Sequence, residues 1–256
     1  MEVTLIKVAV ADGIAAVTMD NPPINAQNAQ FNSEMAYVFD TLSDRKDVRV
    51  AVLTGAGNVF SAGADMKGRG GLAATGERWQ HNRRVRESFH AIRECTKPVI
   101  CALNGPALGA GLAIAASCDI LIAAEEGSLG LPEIDVGLLG GGRHAQRLFG
   151  HSTLRRMMLT GYRVPGPELL RLGIVEACVP RAALMDRAMG LARDIAGKSP
   201  AAIRLAKQAL NTIEDMSLRD GYRYEQNLTV QLSEHADAKE ATAAFLEKRK
   251  PQYRDS

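Results

Sequence analysis

Cysteine is scarce and unpaired in spacing: Cys95, Cys101, Cys118 and Cys178 are the four in 256 residues, and none forms a Cys-x-x-Cys pair. That leaves out the common zinc and dithiol redox patterns. Each lies in an apolar run, where a free thiol packs as a small hydrophobe, and a reducing cytoplasm is the compartment this implies. The five histidines supply no His-Glu-x-x-His and no helical face with two histidines, so no metal site is expected. Excess charge is also missing: a net charge of +2 argues neither for nor against a polyanionic partner. The opening residues MEVTLIKVAV show no basic segment ahead of an apolar one, so no secretory leader is expected. Nor is there a clean membrane span. Pro98 to Ala124 carries one charge, Asp119, over a length that would cross a bilayer. Asn104, Gly105, Pro106, Gly109 and Gly111 break that run into the pattern of a buried strand, turn, helix and strand.

What remains is the composition of a globular enzyme, 46% hydrophobic and 23% charged, without a fixed-period repeat. Val3–Val10 and Ile14–Met19 flank Ala11-Asp-Gly13, a hairpin signal. A helix is predicted from about Asn32 to Leu42, a strand over Val48–Leu53, a helix through Arg93, and strands over Val99–Leu103 and Asp119–Ala123. Short strands alternating with helical stretches imply an α/β layout with a buried sheet. From Arg181 onward only helices are predicted: Arg181–Ala196, Pro200–Asn211, Leu218–Leu232 and Asp237–Lys248. Ser199 reads as the cap of the second of these, and Asp237-Ala-Lys-Glu240 as a capping box at the start of the last. The expected division is an α/β body over 1–195 and a helical region over 196–256.

Two glycine-studded turns follow strands. NGPALGAG, from Asn104, lacks the third glycine of a dinucleotide loop, since Ile114 stands there, and it lacks the Lys-Ser/Thr of a phosphate loop. FSAGADMK, from Phe60, is the second. Two such turns supply two sets of free N–H groups, and two converging donors are what an oxyanion hole requires. A third stretch, GLPEIDVG, sets Glu133 among apolar neighbours, where partial burial suits a carboxylate to moving protons. Gly127-Ser-Leu-Gly130 is not the Gly-x-Ser-x-Gly of a serine hydrolase.

FSAGADMK, then NGPALGAGLAIAASCDI, then GLPEIDVGL, then the tail AFLEKRKPQY, in that order along essentially the whole chain, resemble the enoyl-CoA hydratase/isomerase (crotonase) superfamily. The resemblance implies a spiral of ββα units, a C-terminal helical trimerisation region, and trimers or dimers of trimers. It implies that the amides of Ala64 and Ala110 bind the thioester oxygen of an acyl-CoA as it becomes an enolate. It also implies CoA contacts: backbone around Ala62, Ala64 and Gly109, Lys67 near the phosphates, and Phe245 and Lys248 reaching CoA from a neighbouring subunit. Coenzyme A enters as part of the substrate, and no separate cofactor is expected.

Hydratases of the family carry two glutamates. The second matches Glu133, but the first falls on Ala113, which has no acid. A single carboxylate suffices for a 1,3-proton shift, so double-bond isomerisation is preferred on mechanism. Hydration with a non-standard second acid and acyl-CoA hydrolysis stand behind it. His144, whose imidazole titrates near neutrality in water, and Asp135, on the face of Glu133 if that segment is extended, are further candidates. Tyr162 is a candidate pocket wall, as is the loop from Lys67 to Gly76. The rival of a different class is an RNA-binding homologue, because Arg78, Arg83, Arg84, Arg86 and Arg93 share one predicted helix with Trp79 and His81. Glu77, Glu87 and Glu94 dilute that patch, and a helix lining the entrance for anionic CoA is preferred.

Overall fold

A computed structural model describes residues 2–66 and 74–253. β1 (Ile6–Ala11) and β2 (Ile14–Met19) form an antiparallel hairpin. Asp12 and Gly13 join them with φ of 52° and 77°, the pair of positive values whose twist suits a two-residue turn. β3 (Val50–Gly55), β4 (Val99–Leu103), β6 (Ile120–Ala124) and β9 (Ala177–Val179) extend this sheet in parallel, in the order β1-β2-β3-β4-β6-β9.

The central strands are almost wholly apolar, Thr54 of β3 being the polar exception, because both faces are covered. Val50, Val52, Ile100, Ala102, Ile122 and Ala124 pack against Leu184, Ala188 and Ala192 of the helix Arg181–Ala196. Their neighbours Ala51, Leu53, Cys101, Leu103 and Ala123 point the other way, into the larger core. That core is shared with α1 (Ala29–Asp44), α2 (Thr75–Glu94) and α3 (Ala110–Ser117).

A second layer lies beyond the C-terminal ends of the main strands. β5 (Pro106–Leu108), β7 (Ser128–Gly130) and β8 (Arg163–Pro165) form a three-stranded sheet. Single parallel bridges, Ser61 to Ala107 and Gln27 to Ala64, prolong it. Each turn of the chain therefore adds one strand to the first layer, one short extended piece to the second, and then a helix. β4, β5 and α3 make one such turn. β3, the Ser61–Ala64 piece and α2 make another. This is the expected spiral of ββα units, and the run from Pro98 to Ala124 is β4, β5, α3 and β6 within it. Among the described residues, no helix is long and apolar enough to cross a membrane.

After β7 come a 3-10 helix (Pro132–Val136), α4 (Gly142–Ala145), α5 (His151–Thr160) and α6 (Gly166–Arg171), then β9 and α7 (Arg181–Ala196). α8 (Pro200–Ile213), α9 (Leu218–Glu234) and α10 (Ala236–Leu246) complete the described chain. Ser199 caps α8 as expected, accepting the Ala202 N–H. The expected capping box at Asp237 is corrected. His235 is the cap of α10, accepting the Asp237 N–H, while the buried Asp237 carboxylate accepts the Ser199 hydroxyl at 2.7 Å. A contact between helices has claimed the side chain that a box would use.

Candidate active site

The FSAGADMK turn, the first along the chain, is built around one buried hydroxyl. Ser61 donates to the Asn25 carbonyl at 2.8 Å and accepts from Gln27 Nε2 at 3.1 Å and from the Gly63 N–H at 3.3 Å. Asn25 Nδ2 binds the carbonyls of Ala56 and Val59, fixing where the turn leaves β3. Gln27 donates its N–H to Gly63 O, and its own carbonyl accepts the Asp65 N–H. Amides alternate in direction along an extended piece. Gly63 O and Asp65 N, on either side of Ala64, are both committed to Gln27, so the Ala64 N–H is turned away from Gln27, and it donates no backbone hydrogen bond among the described residues.

The second turn meets the first at close range. Leu108 donates to Ser61 O and Gly109 to Gly130 O, each at 2.9 Å. Ala110 opens α3, so its N–H has no acceptor within the helix, and the helix dipole adds partial positive charge there. A Cβ on Gly63 would stand 2.5 Å from Leu108 O and 3.3 Å from Ala110 N. Only a glycine permits that approach, and the approach brings the two turns together.

Glu133 sits over this junction. A Cβ added to Gly109 would fall 2.4 Å from its Oε1, and one added to Gly140 would fall 3.8 Å away. The carboxylate is thus seated on the residue that precedes the Ala110 amide. Glu133 is half-buried, with Oε2 itself sealed from solvent. Its segment is a 3-10 helix closed by Gly137 in the left-handed region, whose next residue, Leu138, donates to Glu133 O. An extended strand would have put Asp135 on the same face; the 3-10 turn corrects that. Asp135 is exposed and its carboxylate crowds Gly161, where a Cβ would meet Oδ2 at 2.7 Å.

Both turns and Glu133 line one cavity of about 540 Å³. Ala62, Ala64, Gly109 and Ala110 contribute backbone to it, Ala113 contributes a methyl group, and Asp135 and His144 reach its wall. His144 is half-buried and held edge-on to Phe89, ring centroids 5.1 Å apart. Burial first, then the positive charges of His90, Arg147, Arg143 and Arg93, bring its pKa down to about 4. Lys67 and most of its loop lie outside the described residues. Phe245 and Lys248 are exposed and do not line the cavity of their own chain. Tyr162, for which ordinary packing is the stronger expectation, is a packing residue: the Arg156 guanidinium carbon lies 3.6 Å from its ring centroid, and Tyr162 is not in the cavity lining.

These matched segments converge along the whole chain, and the family model described as enoyl-CoA hydratase/isomerase matches residues 9–256. The chain belongs to this family. Among curated proteins of similar sequence is a Mycobacterium tuberculosis (7aS)-7a-methyl-1,5-dioxo-2,3,5,6,7,7a-hexahydro-1H-indene-carboxyl-CoA hydrolase, 35% identical over 92% of this chain and 96% of that one. Another is the carnitinyl-CoA dehydratase of Escherichia coli strain K12, 34% identical over 93% of this chain and 94% of that one. Among solved structures, the enoyl-CoA hydratase from Bacillus anthracis has a TM-score of 0.93 at 30% identity, covering 99% of this chain and all of its own.

Within this family member, sequence reasoning missed the frame that holds the turns. Asn25 and Gln27 are two of several amides in the stretch Asn25-Ala-Gln-Asn-Ala-Gln30, Ser61 stands among small and apolar residues, and no spacing marks them. The same reasoning set α2 at the entrance for CoA without naming the side chains that reach the cavity: His81, Asn82, Val85, Arg86 and Phe89 recur at helical intervals on one face. That placement bears on the arginine-rich helix. Arg86 faces the cavity, while Arg93 is bound to Glu214 and to the Asn211 carbonyl, so the five arginines do not form one continuous patch.

Proposed function

We propose that this enzyme moves a proton on an acyl-CoA thioester through an enolate, with Glu133 as the proton carrier and the Ala64 and Ala110 amides as the donors to the enolate oxygen. The observation that carries this is the seat of Glu133 on Gly109, beside the two turns whose outer amides are already engaged. Glu133 removes a proton from one carbon next to the conjugated system and returns it to another. The paired amides stabilise the charge that accumulates on oxygen between those two transfers. No electron leaves the substrate, and coenzyme A serves only as its carrier.

Double-bond isomerisation is the reaction we favour, because Ala113 supplies no second acid and a 1,3-shift needs none. Likeness to the mycobacterial hydrolase supports hydrolysis as a second reading, and likeness to a hydratase and a dehydratase supports addition or loss of water. The four free cysteines suit a reducing cytoplasm, where we place the enzyme.

Incubation with 2-enoyl- and 3-enoyl-CoA esters in deuterated water, read by mass spectrometry, separates the reactions. Label exchange without added water marks isomerisation, a gain of water marks hydration, and loss of CoA marks hydrolysis. Glu133→Gln should lower turnover and exchange by about 10²–10⁴-fold while CoA binding persists. Near-normal exchange in that variant would remove Glu133 from the mechanism.

A further inference from the structure

The wall that α2 and α4 add to the cavity is not the hydrocarbon surface that suits a plain acyl chain. His144 is fixed there by its edge-on contact with Phe89, in a cavity that Ala113 also lines. Among the described residues neither ring nitrogen of His144 bonds to the protein, and neither is sealed from the cavity space. The Asn82 carboxamide lines the same cavity, also without a protein hydrogen bond among the described residues. At neutral pH a ring whose pKa is about 4 is uncharged, with one N–H to donate and one lone pair to accept. A saturated chain laid across it would strip water from both nitrogens and return nothing.

Building on the acyl-CoA reading above, we infer that the acyl group of the substrate carries its own oxygen, a hydroxyl or keto group beyond the third carbon, and that His144 hydrogen-bonds it. The substrate class is thus an oxygenated acyl-CoA, and His144 is a specificity-determining residue. A site built to bond a substrate oxygen discriminates strongly against the analogue that lacks it, because its own polar groups are then left unpaired. The role requires hydrogen bonding and no change of protonation, which sets it apart from that of a second general acid.

The test is a binding measurement, so that it does not depend on turnover. Glu133→Gln protein is titrated with saturated acyl-CoA esters in matched pairs, with and without a keto or hydroxyl group at each carbon from the fourth outward. One oxygenated position should bind about 10- to 100-fold tighter than its deoxy partner. Adding His144→Leu should collapse that preference to about twofold or less, whereas adding His144→Gln, which keeps a donor and an acceptor but cannot titrate, should retain most of it. No preference at any position overturns the inference, and so does a preference that survives His144→Leu. A His144→Gln protein as indifferent as His144→Leu also overturns it. Since the first measurement uses protein with His144 intact, an unfolded His144 variant cannot hide the answer. Failure of the underlying reading looks different: no acyl-CoA of either kind would bind.

Discussion

Gly109 carries two constraints at once. Its φ of 56° and ψ of −117° are closed to side-chain-bearing residues, and the space where a Cβ would stand is occupied by the Glu133 carboxylate. Gly109→Ala should therefore cost about 1–3 kcal/mol of stability through backbone strain. It should also lower activity out of proportion by lifting Glu133 from its seat. Unfolding in urea alongside kcat/KM separates the two effects, and an active Gly109→Ala enzyme would show that Glu133 does not depend on this contact. Glu34 shows what a carboxylate does when its role is structural. It is buried on α1 and accepts the consecutive N–H groups of Thr4, Leu5 and Ile6, at 3.0, 2.7 and 3.1 Å. Burial pulls its pKa up, but Gln30 and those three amides outweigh burial and hold it below its ordinary value of 4.5. A lowered folded pKa means that the stabilisation is complete above the unfolded value and is lost as pH falls through the folded one. Glu34→Gln should thus lower stability by about 1.5–3 kcal/mol at neutral pH. Its deficit in Tm against the parent protein should close as the pH is taken below 4.5.

At the scale of elements, α8 is tied to the body by a buried cation. Lys207 Nζ reaches Asp119 Oδ2 at 2.8 Å and the carbonyls of Lys97 at 3.0 Å and Ile92 at 3.5 Å, while Asp119 also accepts the Val99 N–H that begins β4. Glu214, just past α8, adds bonds to Arg93 of α2 and to Arg147. Lys207→Met should cost about 3 kcal/mol, since it leaves a partly buried carboxylate with one partner fewer. Urea midpoints should then show Lys207→Met/Asp119→Asn losing less than the sum of the single changes, the mark of direct coupling. Such clamps are illegible in sequence, because a lysine on an amphipathic helix looks solvated until the fold covers it. The elements themselves were legible in proportion to their length. β4 and α7 stand where the apolar pattern put them, β4 as an unbroken apolar run and α7 because its 16 residues are enough to show a helical period. β5, β7 and β8 have three residues apiece and no period to show, yet they build the layer in which the two turns meet. The PEIDV segment misled for a related reason: five residues fit an extended piece and a 3-10 turn equally well, and Gly137 decides between them only once its φ of 67° is known. Glu133 was found through its motif. The fact that it rests on Gly109 was not, because residues 24 positions apart meet only through the spiral.

For the molecule as a whole, we propose that this chain self-associates, a reading its exposed surface supports. It exposes 13757 Å², against roughly 11,000 Å² for a compact monomer of 27.5 kDa. Apolar side chains of the last helices account for part of the excess: Leu218 is 91% exposed, Phe245 82% and Leu246 74%. Isolated exposed leucines are ordinary, but several on packed helices at one end of a chain mark surface that a partner covers. Self-association into trimers, singly or in pairs, is the arrangement the resemblance implies, and light scattering should return three or six times the monomer mass. In that assembly Phe245 and Lys248, which stand clear of their own cavity, would close the CoA end of a neighbour's. A mixing experiment tests the exchange directly. Glu133→Gln copies lack the proton carrier but keep the tail. Phe245→Ala/Lys248→Ala copies keep the carrier but bind CoA weakly. Mixed oligomers formed by refolding the two together should then contain sites with an intact carrier from one copy and an intact tail from the next. Their kcat/KM should exceed the sum of the two parents measured apart. If each tail serves its own cavity, every site in the mixture stays defective in one respect or the other, and the sum is not exceeded.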